Sequence, residues 1–123
     1  MESEERVRKL SISINRAPAE VYEFLSRPEN FPKWASGLGS ALRQDGAGWV
    51  VDTPEGTARV RFSERNSHGV LDHGVRLPSG ASVYVPLRVV PAGEGCELVL
   101  TVFAADAEWG MRDLLAAKRI LEL

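Results

Sequence analysis

Val7 to Asn15 alternates: Leu10, Ile12 and Ile14 are apolar, while Lys9, Ser11 and Ser13 are polar. A period of two marks a strand with one buried face. Pro18 then stands where a first helical turn begins. Val21, Phe24 and Leu25 share one helix face, and Glu20 and Glu23 point elsewhere. Pro28 closes that helix, and residues 29–35 predict a second, shorter one carrying Phe31 and Trp34.

From Gly37 onward helical periodicity gives way to regularly spaced turn signals, the pattern of an antiparallel meander. Turns are expected at 45–48, 54–56, 66–69, 78–80 and 91–95. The strands between them fall near 39–45, 48–53, 57–65, 69–77, 81–90 and 96–104, which with the first makes seven. Asp106 can cap a last helix reaching to Leu123, with Ala107, Met111, Leu114, Leu115, Ala117 and Leu121 as its apolar stripe. No repeat or linker interrupts this order, so residues 1–123 read as one domain.

The order strand, two short helices, six strands, long helix predicts an α+β fold. A seven-stranded antiparallel sheet has one face to hide, and one long C-terminal helix to hide it. Twist curves such a sheet around the helix, and the space between them is a natural ligand site. The alternative is that side chains fill that space.

Residues 11–34, Ser-Ile-Ser-Ile-Asn-Arg-Ala-Pro-Ala-Glu-Val-Tyr-Glu-Phe-Leu-Ser-Arg-Pro-Glu-Asn-Phe-Pro-Lys-Trp, resemble the opening of the START-like, or SRPBCC, superfamily, which includes polyketide cyclase/dehydrase-type proteins. Gly69–Val75, Pro86–Pro91 and Asp113–Glu122 are similar to small bacterial members, so the resemblance spans nearly the whole chain. It implies a helix-grip fold and a cavity for lipids, polyketides or other hydrophobic molecules. Some members catalyse cyclisation or dehydration. The stretch between Phe103 and Glu108 is short for the family, which leaves less chain to close a pocket.

Composition trims the possibilities. The 123 residues carry 15 Lys and Arg against 17 Asp and Glu, a formal charge of -2, so no basic excess exists to hold nucleic acid. Cys96 is the single cysteine, which excludes an internal disulfide and a cysteine metal cluster. The charged first residues lack the apolar stretch of a signal peptide. No apolar run approaches the roughly 20 residues of a membrane span. A cytoplasmic protein is the expectation.

Strand parity sorts the polar residues. In 69–77, Leu71, His73, Val75 and Leu77 share one face, and Val70, Asp72, Gly74 and Arg76 share the other. The first face is apolar apart from His73 and should face the helix. His73 is therefore the candidate catalytic acid/base or ligand-orienting group. The competing reading is a histidine satisfied by a backbone carbonyl or lying at the sheet margin. The expected cavity wall draws Trp34, Val60, Phe62, Leu71, His73, Val85, Leu87 and Leu100 from the first half and the sheet. Trp109, Met111 and Leu114 complete it from the last helix. Gly110 beside Trp109 leaves room either for a ligand or for a close strand. A tight turn at Ala92-Gly93 would set Arg88 opposite Glu97 as an outer ion pair. Arg59 and Arg61 belong to a solvated outer face, or to a patch for an acidic partner.

No metal is expected, because His68 and His73 fall on opposite faces of a strand, and no glycine loop suits a phosphate cofactor. Three functions stay open. The first is binding of a small hydrophobic molecule. The second is a cofactor-free cyclase or dehydratase using His73. The third is a dimerising or partner-binding module around Tyr84, Val99 and Phe103.

Overall fold

The computed structural model describes residues 7–35, 42–46, 48–103 and 108–123. In chain order the elements are β1 (Val7–Ile14), α1 (Pro18–Ser26), a 3-10 turn (Pro28–Asn30) and α2 (Phe31–Trp34). Then come β2 (Arg43–Asp45), β3 (Gly48–Thr53), β4 (Gly56–Phe62), β5 (His73–Arg76), β6 (Ser82–Val85), β7 (Leu87–Ala92), β8 (Gly95–Phe103) and α3 (Glu108–Leu121). The expected positions 39–41, Ala104, Asp106 and Ala107 lie outside the described residues.

The element order matches the sequence reading, and the sheet does not. The single seven-stranded sheet is replaced by two antiparallel sheets, β1-β8-β7 and β2-β3-β4-β5-β6. The strand expected over 81–90 divides at Pro86. Before it, Val85 pairs with His73 of β5; after it, Leu87 pairs with Leu100 of β8. Proline has no N–H for a ladder, and the next N–H, of Leu87, goes to the Asp72 side chain at 2.9 Å. The strand expected over 69–77 shortens in parallel. Its first residues bond β7 instead, Leu71 N to Leu87 O at 2.7 Å and Val89 N to Gly69 O at 2.9 Å.

The core lies on one face of both sheets. Alternate residues of β8, namely Cys96, Leu98, Leu100 and Val102, are buried, as are Val51, Ala58 and Val60 of the larger sheet. Helix α3 packs on β1, β8 and α2. Gly110 explains how closely. A Cβ there would meet Leu10 Cδ1 at 2.8 Å, Leu100 Cδ2 at 2.9 Å and Val102 Cγ2 at 3.1 Å, so the room it leaves is for a strand. The end of α3 is tied back to β1. Arg16 donates from Nε to the Leu121 carbonyl at 2.6 Å, and Lys118 Nζ donates to the Ser13 carbonyl at 2.7 Å. A cation suits the terminal carbonyl of Leu121, and the Lys118 bond reaches from the last turn of α3 to the β1 backbone.

The hairpin β7–β8 turns on Gly93, whose φ of +59° favours glycine. Ala92 faces Gly95, which sets Arg88 opposite Val99 and Val90 opposite Glu97. The expected Arg88–Glu97 pair is thus displaced by a two-residue shift of partner, and Arg88 turns to Asp72.

Candidate functional site

Helices α1 and α2 press on the end of β4 and β5. Phe31 packs edge-on to Trp34, Phe62 and His73, at ring-centroid separations of 5.2, 5.2 and 5.4 Å. Trp34 is also perpendicular to His73, 6.1 Å away. Beside this aromatic cluster lies a cavity of about 130 Å3 lined by Tyr22, Leu25, Ser26, Trp34, Phe62, Ser63, Arg65, Leu71 and His73.

His73 is buried, and its Nδ1 lies 3.1 Å from the Leu71 carbonyl. A carbonyl only accepts, so Nδ1 carries the hydrogen and Nε2 keeps a lone pair. Loss of solvation holds the imidazole below the usual histidine range, against the opposing pull of the Leu71 carbonyl and the Asp72 charge. The ring is neutral at pH 7. Trp34 adds a second polar atom, since its indole Nε1 is buried and has no hydrogen-bond partner among the described residues.

The rim is polar. Arg65 stacks over the Tyr22 ring at 5.4 Å, donates to Ser26 Oγ at 3.1 Å and ion-pairs with Glu23. The Tyr22 hydroxyl accepts from the Asn66 N–H at 2.9 Å. These bonds fasten the loop after β4 to α1 across the cavity.

Of the residues expected to form the wall, Trp34, Phe62, Leu71 and His73 meet here. Val85, Leu87, Leu100 and Leu114 are buried core residues away from it. Val60 is buried too, in β4. Trp109 and Met111 are half-buried against the same core. Helix α3 therefore contributes no residue to this cavity among the described positions. Tyr22, Leu25, Ser26, Ser63 and Arg65 were not anticipated as its lining. The signal for Tyr22 is weak, because it neighbours Val21 on a short helix and lies off its most buried face.

Asp72 departs from expectation in burial, not in parity. It precedes β5 on the outer face, yet is only 6% exposed. Tyr84 covers it and donates at 2.8 Å, and Arg88 grips both carboxylate oxygens at 2.9 and 2.7 Å. The Arg88 bonds lead in holding its carboxyl at about 2. Tyr84 and Phe103 remain more than half exposed, the first on the five-stranded sheet and the second on the three-stranded one. Among the described residues no His, Cys, Asp and Glu gather as a metal site, and no helix is long and apolar enough to cross a membrane.

The sequence model for "polyketide cyclase / dehydrase and lipid transport" proteins matches residues 8–122. The chain belongs to this family. Similar folds recur among solved structures. DynU16, from the dynemicin biosynthetic locus, is 18% identical with a TM-score of 0.68, over 94% of this chain and 47% of DynU16. The chain thus spans about half the length of that protein. Norcoclaurine synthase from Thalictrum flavum is 13% identical with a TM-score of 0.70, over 96% of this chain and 87% of that one. The Aha1 dimer from Colwellia psychrerythraea, also 13% identical with a TM-score of 0.70, covers 96% and 97%. At such identities the likeness is one of fold: the polyketide cyclase-type α+β architecture with a C-terminal helix. No curated protein matches the sequence significantly.

Proposed function

We propose that this family member binds a small, mostly apolar molecule in the cavity between α1, α2 and the ends of β4 and β5. The observation that carries the reading is the cavity itself: aromatic walls around a neutral imidazole with a free Nε2. At about 130 Å3 it suits a single ring. Engineered apolar cavities of about 150 Å3 take up benzene. Long lipids and folded polyketides exceed that volume. A ring bearing a hydroxyl fits best, because the hydroxyl donates to His73 Nε2 while the ring meets Phe62 and Trp34.

Thermal unfolding against benzene, phenol and cyclohexanol tests this. Phenol should raise Tm most, with 1:1 calorimetric binding. A Leu71→Trp variant, which fills the space, should lose the effect. No Tm shift with any ring compound, together with no small molecule retained in native mass spectrometry, would overturn the reading.

A second reading makes the site a cyclase or dehydratase in which His73 takes or gives a proton. Its support is the desolvated imidazole with one nitrogen anchored, the arrangement a general base needs. Turnover of a candidate substrate should then vanish in His73→Asn while that variant still binds it. Retained turnover would sink the catalytic role.

A further inference from the structure

The outer face of the five-stranded sheet carries charge at odds with the acidic chain. The register sets Arg59 opposite Arg76, and Arg76 opposite Ser82. One step along, Arg61 faces Gly74, and Gly74 faces Tyr84. Alternation puts all six on one face. Five of them are exposed and Gly74 is half-buried. Gly74 has no side chain, so the centre of this grid is a hollow flanked by Arg61, Arg76, Ser82 and the Tyr84 phenol, while the Arg59 guanidinium turns to Asp45 at 3.2 Å.

Two features distinguish it from an ordinary solvated strand surface. First, directly opposed like charges destabilise a sheet, yet Arg59 and Arg76 are such a pair. Second, acids balance the neighbouring arginines, Arg59 among them, but not Arg61 and Arg76. Arg43 pairs with Asp52, Arg59 with Asp45 and Arg88 with Asp72. Arg61 and Arg76 have no ion-pair partner among the described residues. The same six residues border a depression of about 860 Å3 that also reaches Trp49, Val60, Phe62, Val75 and Val83, whose parity is that of the other face.

We propose that this hollow binds a soluble, multiply charged phosphate compound. Guanidinium groups grip phosphate oxygens bidentately and do not lose their charge. Two of them without an acidic partner, Arg61 and Arg76, beside a floor with no side chain match a compact dianion better than an extended acidic chain. The depression also has room for an organic group attached to the phosphate, next to the exposed Tyr84 ring. The site is distinct from the cavity beneath α1 and α2, although Phe62, Ser26 and Ser63 border both.

Calorimetric titration of the whole chain with inorganic pyrophosphate is the test, repeated at low and high salt. Saturable 1:1 binding that weakens with salt is expected. Arg61→Gln and Arg76→Gln should each weaken it at least tenfold. Both side chains are exposed and unpaired, so both variants should fold. Gly74→Val is the decisive variant. A Cβ at Gly74 meets only the Val83 carbonyl, at an ordinary 3.8 Å, so the strand tolerates it while the hollow fills with no change of charge. Loss of pyrophosphate binding in Gly74→Val supports a built site. Unsaturable binding, or binding that Gly74→Val leaves intact, would reduce the arginines to diffuse surface charge and overturn the proposal. Binding to vesicles containing phosphatidic acid, with none to pyrophosphate, would overturn it as well, since the source would then be a membrane surface. Neither result bears on the phenol test of the inner cavity.

Discussion

Asp72 and His73 are adjacent, both buried, and opposite in what they need. Asp72 is stabilised in its charged form by Arg88, Tyr84 and the Leu87 N–H. Its carboxyl sits at about 2, below the 3.8 of an unfolded chain. A lowered carboxyl contributes stability that is complete above its unfolded value and is lost as pH falls toward the folded one. Unfolding free energy should therefore drop by about 2 kcal/mol between pH 4 and pH 2. Asp72→Asn should remove most of that dependence, lowering stability at pH 7 by about 2–3 kcal/mol. Urea titrations across pH read both, and an unchanged acid slope in the variant would refute the assignment. His73 is lowered by burial, so the unfolded chain binds its proton first. Stability from this group is complete above the unfolded value of 6.5 and declines as pH falls below it. His73→Phe should flatten the stability profile just below pH 6.5. It should also cost about 1–2 kcal/mol at pH 8 through the stranded Leu71 carbonyl. Strand parity was enough to find His73. It could not reveal that Asp72 is covered, because Tyr84 and Arg88 reach it from other strands.

Most elements follow from local pattern. The alternation of β1, the apolar stripe of α3 and the turn residues between strands are one-dimensional signals, and the elements appear where those signals lie. Pairing is another matter. The strand expected over 81–90 had the correct periodicity throughout, and only the competition for the Leu87 N–H divides it. Pro86 signalled the interruption, but Asp72, which completes it, is 14 residues earlier in the chain. The Arg88 partner failed for a related reason. A hairpin register depends on which two residues form the turn, and a shift of one position there moves every partner by two. Gly110 carries an element-scale prediction. Alanine would gain about 1 kcal/mol of helix propensity. Its Cβ would also press on Leu10, Leu100 and Val102 at 3.1 Å or less, and overpacking costs typically about 1–3 kcal/mol. Because Val102 is β-branched and both it and Leu100 are buried, the clash should win. Gly110→Ala is expected to lower stability by about 1 kcal/mol, measured as a shift of the urea midpoint at constant m-value. A stabilised variant would mean that α3 rides higher on β8 than the structure has it.

At the scale of the whole molecule, the two sheets divide the labour. The three-stranded sheet and α3 make the dense core, while the larger sheet presents the candidate cavity at one end and the arginine hollow on its outer face. The expectation of a ligand space beneath α3 came from the order of the elements, a curved sheet with one long helix to cover it. In this chain Leu114, Leu100 and Leu87 occupy that region as buried core residues, and the cavity shifts toward α1 and α2. Side-chain volume decides this, and periodicity carries no information about it. The division predicts unequal local stability. Strand β8 is paired on both sides and buries every second residue, so its amides open only with the core. Strand β2 is a three-residue edge with every residue exposed. Hydrogen exchange should be slowest in β8 and α3 and fastest in β2, with β5 and β6 intermediate. In Asp72→Asn, protection should fall first in β6 and at the 69–72 bridge, where the sheets join, while β8 stays protected to near the global limit. Equal loss across both sheets would mean that they unfold as one unit, and the Asp72 junction would then be a core element and not a hinge between them.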